Sequence, residues 1–405
     1  MSFFFNKPLY QAKSGTGILG IGIQSGTSQD GLDMVLCRFE FSPVEPVRPV
    51  IKLLEGTTIP FPEKLQKKLK LHSFEKKADL EEVLILGQNL AAFTAESLLD
   101  KLSEWYIARE EVCFIASHGQ TLYHNRVSIP HPMVCTYQST DSDLLSELTG
   151  MAVVSDFRAR HIAAGGEGAP LAPLFDHAYF RDDSKTRVLL NIGGIANITI
   201  VQPEHELHEI VYGDTGPGNK IMDQLASEIK DGMKYDEGGK IAASGKVDEH
   251  LLEILADNPY FKRPFPKSTG PELFNLNWVM RVLTKAGLDQ PSSKDLMATL
   301  AALSAKTISD CIRKHVPSGE KADIIVSGGG VRNHHLINLL KKELRYPVYN
   351  IDEKGGSADH KEAQLFAYLG FCTLFTTGLP IFAPDKLIRL GKISLPSDIS
   401  KPAAF

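Results

Sequence analysis

Cysteine is scarce in this chain: five among 405 residues, at positions 37, 113, 135, 311 and 372. No two stand close together. That excludes a Cys-x-x-Cys redox motif, a zinc knuckle built on paired cysteines and the dense disulfide framework of a small secreted domain. Most have apolar neighbours, so buried, reduced thiols in the cytoplasm are expected. Long hydrophobic runs are also missing. No segment approaches the ~20 apolar residues that span a bilayer, and the run Phe3-Phe4-Phe5 is closed by Asn6, Lys7 and Pro8, short of a signal-peptide core. Nor is there an excess of positive charge. Lys+Arg number 44 against 49 Asp+Glu, a formal net charge of -5, so neither nucleic acid nor an anionic membrane is expected as a partner.

Two phosphate signatures are lacking as well. Neither G-x-x-x-x-G-K-[ST] nor G-x-G-x-x-G occurs, which removes the P-loop and the dinucleotide-binding turn. A phosphate site must be built in another way.

The chain is long enough for two domains, and 43% hydrophobic with 23% charged residues is the composition of a globular protein. Residues 1–16 read as a loose arm. Apolar runs at 17–23 and 32–41 read as strands around a polar turn at 24–30, a hairpin. Helical spacing covers 62–102, a short buried strand 112–117 delivers His118-Gly-Gln-Thr121 at its end, and 143–148 reads as a helix capped at Gly150. Another strand at 152–155 leads to Asp156-Phe-Arg158 and a glycine-rich loop at 163–170. The pattern then restarts, with strands at 188–192 and 195–201 around Gly193-Gly194 and a third at 210–212. Next come a glycine turn at 213–219, helices at 220–229 and 247–255, loops at 257–261 and 266–270, and a helix at 296–316. A strand at 323–326, a helix at 336–344, a strand at 349–351 and a helix at 361–374 finish the series. Two blocks thus open with strand, glycine turn and strand. A duplicated α/β architecture is expected, with a cleft between domains of residues 1–150 plus about 370–405 and residues 151–369.

Three glycine-bearing turns follow apolar strands: Ser25 to Gly31, Asp214 to Asn219 and Ser327 to Gly330. Together they suggest a nucleotide, with phosphates held by amides and hydroxyls at Ser25, Gly26, Thr27, Ser28 and Gly31, and at Thr215, Gly216, Gly218 and Asn219. Gly328, Gly329 and Gly330 would seat the nucleoside. Asp30 and Asp33 are candidates for Mg²⁺, Asp30 through water, while Asp33 serves equally well as a turn cap. His118 suits a ligand, a base or a hydrogen-bonded core histidine. His205-Glu-Leu-His208 has its histidines one residue too close for a zinc helix, and the lysines between 64 and 70 read as a solvated helix face. Asp214 stands out, because a carboxylate fixed by a glycine turn repels phosphate unless it serves other chemistry.

Taken in order, these segments resemble one family. Ser25-Gly-Thr-Ser-Gln-Asp-Gly31, Ser117-His-Gly-Gln-Thr121, Asp156-Phe-Arg158, Gly168-Ala-Pro-Leu171, Asn191-Ile-Gly-Gly-Ile-Ala-Asn197, Asp214-Thr-Gly-Pro-Gly-Asn219, Pro266-Lys-Ser-Thr-Gly270, Ser327-Gly-Gly-Gly330 and Lys361-Glu-Ala363 are similar to the motifs of anhydro-N-acetylmuramic acid kinases. The resemblance implies two ribonuclease-H-like domains of the actin-like, sugar-kinase superfamily, with ATP and Mg²⁺ as cofactors and an anhydrosugar as substrate. It also implies a homodimer. The implied reaction cleaves the 1,6-anhydro bond with water and phosphorylates the six-oxygen. Asp214 matches the catalytic base, Glu362 a second carboxylate near the sugar, and Asp156, Glu167 and His118 sugar-side positions. Three departures stand on that side: Glu167 where the family usually has glutamine, Pro271 where it usually has arginine, and Tyr137-Gln-Ser-Thr-Asp141 for Leu-Gln-x-Gly-Asp. These keep a 1,6-anhydroglucose kinase as the alternative. A non-catalytic ATP-binding regulator would lack Asp214 and Glu362, and a glycoside hydrolase would turn over without nucleotide.

Overall fold

The computed structural model describes residues 17–26, 29–42, 48–73, 77–125 and 133–397; the arm expected at 1–16 lies outside them. The chain divides into two compact units, one running to Tyr179 and resuming at His360, the other Phe180–Asp359. Each is a mixed α/β body.

The first unit begins with β1 (Ile18–Ser25), buried along its whole length, and β2 (Gly31–Glu40), paired antiparallel as a hairpin. β3 (Val50–Pro60), not expected from the sequence, adds to β2 as an edge strand whose residues are mostly exposed or half-buried. The helical stretch resolves into α1 (Glu63–His72) and α2 (Leu80–Glu104), the second started by Asp79 accepting from the Glu82 N–H. β4 (Val112–His124) runs parallel to β1 and is longer than expected, so His118 lies inside the strand instead of at its end. After β5 (Thr136–Ser139), α3 (Ser142–Thr149) ends at Gly150 with φ 68°, the expected left-handed cap. β6 (Val153–Ser155) pairs parallel with β4. Through that pairing, β6 and the following α4 (Phe157–Ala163) and α5 (Ala172–Phe180) pack with the first unit, and its boundary stands at 179 where 150 was expected.

The second unit opens with an antiparallel meander of β7 (Thr186–Ile192), β8 (Ile195–Val201) and β9 (Val211–Pro217). Helices α6 (Lys220–Ile229), α7 (Lys240–Ser244), α8 (Glu249–Ala256), α9 (Pro259–Lys262), α10 (Leu276–Ala286) and α11 (Ser293–His315) follow. β10 (Ala322–Ser327) lies parallel to β7, and α12 (His334–Glu343) leads to β11 (Val348–Asn350), parallel to β10. The chain then returns to the first unit with α13 (Lys361–Phe375) and β12 (Lys392–Ser394).

The strand orders are β12-β6-β4-β1-β2-β3, with β5 beside β4, and β11-β10-β7-β8-β9. Each unit is therefore a three-strand meander whose first strand has a later parallel strand beside it and a second parallel strand beyond that one. The duplication, weak in the letters, is plain in the topology. Separate cores support the units, around Ile21, Met34, Leu90 and Ile115 in the first and Leu190, Ile198, Leu300 and Ile324 in the second. In α/β sheets, ligands bind beyond the carboxyl ends of parallel strands. Here those ends gather Ser25, Gln120 and Ser155 in one unit and Ile192, Ser327 and Asn350 in the other.

The helix α13 crosses β1 at Gly22 in close contact: a Cβ there would lie 2.0 Å from the carbonyl oxygen of Ala363. Gly22→Ala is expected to destabilise the protein by about 3 kcal/mol, because two backbones must separate to admit one methyl. A shift of the first unfolding midpoint in denaturant checks it; an unshifted midpoint refutes the tight crossing.

Candidate functional site

In the first unit the residues beyond β1, β4 and β6 form one connected set. Gln24 donates from Nε2 to Glu362 Oε2 at 2.7 Å, and its own Oε1 is buried without a hydrogen-bond partner among the described residues. Ser25 Oγ donates to Gln120 Oε1, and Gln120 Nε2 donates to the Gly26 carbonyl at 3.3 Å. Gln29, at φ 55°, donates its N–H to the same carbonyl at 3.2 Å and accepts from Gln66 at 3.0 Å. Gly26 and Gln29, at the two ends of the turn, are thus held by Gln120 and Gln66. Thr27 and Ser28 lie outside the described residues. Asp30 is exposed at the end of the turn, and Gly31 opens β2, its Cβ position blocked by the Ile59 carbonyl. Asp33 accepts from Thr58 Oγ1 at 2.6 Å.

Arg158 organises the other half. Its Nε donates to His118 Nε2 at 2.7 Å and its Nη1 to the Gly168 carbonyl at 3.1 Å. Because arginine stays protonated, His118 Nε2 must be an acceptor and the neutral ring carries its proton on Nδ1. Burial, and then the Arg158 charge, hold His118 well below the usual imidazole range. In this arrangement it is a hydrogen-bonded core histidine. His161 Nδ1 accepts from the Gly168 N–H at 3.0 Å, and its ring fills the place a side chain on Gly166 would take. Arg158 and His161 together anchor the loop 163–170, with Glu167 exposed. Asp156 sits at the N-cap of α4 in left-handed conformation (φ 56°, ψ 34°) without capping the helix. Burial pushes its carboxyl up, against the opposing effect of Lys392. A non-glycine residue held there costs of order 1–3 kcal/mol and marks a site where direction of the side chain matters.

In the second unit Asp214 lies within β9, where a turn was expected. Ala196 pairs with Gly216 and Asn197 with Asp214, so Thr215 is an extra residue, a β-bulge that re-aims the strand. Asp214 Oδ2 accepts from the Thr269 N–H at 2.8 Å, its own N–H donates to the Lys267 carbonyl at 2.9 Å, and its carbonyl accepts from Tyr260 Oη at 2.9 Å. The expected anion nest is not formed. The amides of Gly218, Asn219 and Lys220 donate to the carbonyls of Gly193 and Gly194, and Thr215 Oγ1 donates to the Ala196 carbonyl at 3.1 Å. Gly328 (φ 78°) and Gly330 pack against Ile192, whereas a side chain on Gly329 would meet only open space.

Of the expected site residues, Ser25, Gly26, Asp30, Gly31, His118, Asp156, Glu167 and Glu362 fall in the first unit. Asp214, Thr215, Gly216, Gly218, Asn219 and Gly328 to Gly330 fall in the second. The unexpected members are Gln24, Gln120, Arg158, His161, Tyr260, Lys267 and Thr269. Most lay inside the motifs already quoted. Tyr260 was hidden in a supposed loop, although Asn258-Pro259 is a helix-start signal, and Asn258 Oδ1 does accept from the Tyr260 N–H. The departures read structurally: Asp141 caps α3 and the Pro271 carbonyl accepts from Asn275, the cap of α10.

The family model for anhydro-N-acetylmuramic acid kinase matches residues 18–387. Curated relatives bearing that name include one from Pseudoalteromonas atlantica, 34% identical over 96% of this chain and 98% of its own. Another, from Nitrosospira multiformis, is 42% identical over 86% and 90%. A third, from Coxiella burnetii, is 39% identical over 87% and 90%. Among solved structures, the activator of the 2-hydroxyisocaproyl-CoA dehydratase from Clostridium difficile with bound ADPNP is 13% identical, with a TM-score of 0.39 over 87% of this chain and 94% of that one.

His161 generates a pH prediction. Burial, and then the Arg158 charge, lower its pKa from 6.5 to about 4. Between those values the unfolded chain binds a proton that the folded one does not, so stability falls as pH drops from about 6.5 towards 4. His161→Gln keeps an acceptor for Gly168 without titrating. Denaturant midpoints measured between pH 7 and 4.5 should fall less steeply for this variant; parallel slopes would contradict the assignment.

Proposed function

The chain belongs to the anhydro-N-acetylmuramic acid kinase family, and we propose from that premise that Asp214 is the general base of a hydrolytic phosphotransfer. The observation that carries the reading is the carboxylate of Asp214, aimed by a backbone N–H, on a strand bulged at the next residue. Asp214 takes a proton from water as its oxygen bonds to the anomeric carbon. The 1,6-anhydro bond breaks at that carbon, and the released six-oxygen attacks the γ-phosphorus of ATP, with ADP leaving. The products are N-acetylmuramic acid 6-phosphate and ADP. The curated relatives carry this one activity name, which favours the muramyl sugar over 1,6-anhydroglucose.

Glu362, held by Gln24, is assigned to orient a substrate hydroxyl or the water, and Asp156 to bind the sugar. The turn Ser25–Gly31 and the open face at Gly329 are assigned to the nucleotide. The common strand order of both units supports two ribonuclease-H-like bodies. Among the described residues no cluster of three or more His, Cys, Asp or Glu side chains could cage a metal. That fits Mg²⁺ held mainly by water and phosphate, with exposed Asp30 as an outer contact; when bound it would neutralise charge on the transferred group.

Turnover in heavy-oxygen water with ATP, Mg²⁺ and anhydro-N-acetylmuramic acid should place the label at the anomeric carbon, and label in phosphate would sink the mechanism. Asp214→Asn should lower kcat by roughly a hundredfold or more with ATP affinity kept; near-normal turnover would remove Asp214 from the base role.

A further inference from the structure

We propose that Tyr260 and Lys267 are positioning residues for Asp214, acting through a closed ring of hydrogen bonds. The inference rests on the assignment of Asp214 as the base.

β9 is the last strand of its sheet, so one edge of Asp214 pairs with β8 and the other needs partners from elsewhere. α9 and the loop after it supply them. The Asp214 N–H donates to the Lys267 carbonyl, the Thr269 N–H donates to Asp214 Oδ2 and Tyr260 Oη donates to the Asp214 carbonyl. Lys267 closes the ring. Its Nζ donates to the carbonyls of Tyr260 at 3.2 Å and Phe261 at 3.1 Å, at the C-terminal end of α9, and lies 4.7 Å from the centre of the Tyr260 ring. One lysine thereby ties the loop that grips Asp214 to the helix that carries Tyr260.

The ring is rigid for packing reasons. Tyr260 is buried to 1% exposure, edge-on to Phe274, and Phe261 stacks on Phe274 with centroids 5.4 Å apart. A side chain at Gly213 would strike Phe265 at 2.6 Å, so the strand approaches the loop as closely as backbone allows. Tyr260 Oη and the Lys267 carbonyl both act on the backbone that aims the Asp214 carboxylate, and the Lys267 ammonium is close enough for the Asp214 charge to favour its protonated form. A carboxylate base displaced by a few tenths of an ångström loses rate while nucleotide affinity is kept.

The test is a double-mutant cycle in the full-length protein. Tyr260→Phe removes one donor and little volume, and should lower kcat by roughly tenfold with KM for ATP unchanged. Lys267→Gln should act in the same direction, with thermal melting confirming that both variants fold. In the Asp214→Asn background, Tyr260→Phe should lower the residual rate no further, since what it positions is gone. Equal losses in both backgrounds would mean a general structural role and overturn the inference. An unchanged kcat for both single variants, with Asp214→Asn inactive, overturns it while leaving the base assignment standing. Near-normal turnover of Asp214→Asn removes the base assignment, and this inference with it.

Discussion

A half-buried guanidinium needs acceptors inside the protein, and the first unit's site is arranged around that demand. Burial works against the charged form of Arg158, and the nearby Glu362 charge opposes that effect; removing a cation from water costs several kcal/mol unless hydrogen bonds replace its hydration. His118 and the Gly168 carbonyl are the replacements. Three consequences follow from this single placement. His118 is confined to one neutral tautomer, His161 is discouraged from taking a proton, and the glycine-rich loop is drawn back onto α4. The pairing of β6 with β4 makes this geometry available, because it sets the segment after Ser155 beside the strand that carries His118.

The second unit aims its carboxylate chiefly through the backbone. Asp214 is aimed by a peptide N–H, and its backbone is tied on both sides, to β8 and to the 265–269 loop. The cation nearby, Lys267, is a half-buried ammonium whose pKa burial lowers first of all, and its hydrogen bonds go to carbonyls. Charge thus supports the scaffold while the backbone sets the direction of the carboxylate.

Much of this was legible from the letters. Buried strands such as β1, β7 and β10 are nearly unbroken apolar runs, and the hairpins were announced by their glycine turns. The helices α6, α11 and α13 were expected from the sequence, although α13 is buried on every side from Ala363 to Phe375. What was not legible depends on partners remote in sequence. β3 has apolar residues but no regular alternation of apolar and polar positions, and as an edge strand it buries only Ile51. The continuation of β4 past Ser117 is polar, since His118 and Gln120 make buried hydrogen bonds with Arg158 and Ser25, His118 also packing on Phe366. The boundary at 179 follows from strand pairing across the sheet, which no local composition records.

The segment from Gly213 to Asn219 shows why the same letters can mislead. Glycine, proline and hydroxyl residues between a strand and a helix describe an anion-binding nest, but they equally describe a bulged edge strand under close packing. The two differ only in where the N–H groups go, and here those of Gly218 and Asn219 reach the carbonyls of Gly193 and Gly194. The glycines serve approach: Gly213 admits Phe265, Gly216 admits Phe261 and Gly218 admits the Gly193 carbonyl. Close packing on that side brings the aromatic cluster under β9, and with it the tyrosine that grips Asp214. The aspartate is therefore no intruder in a phosphate turn; the glycines around it are the means by which a carboxylate is held still.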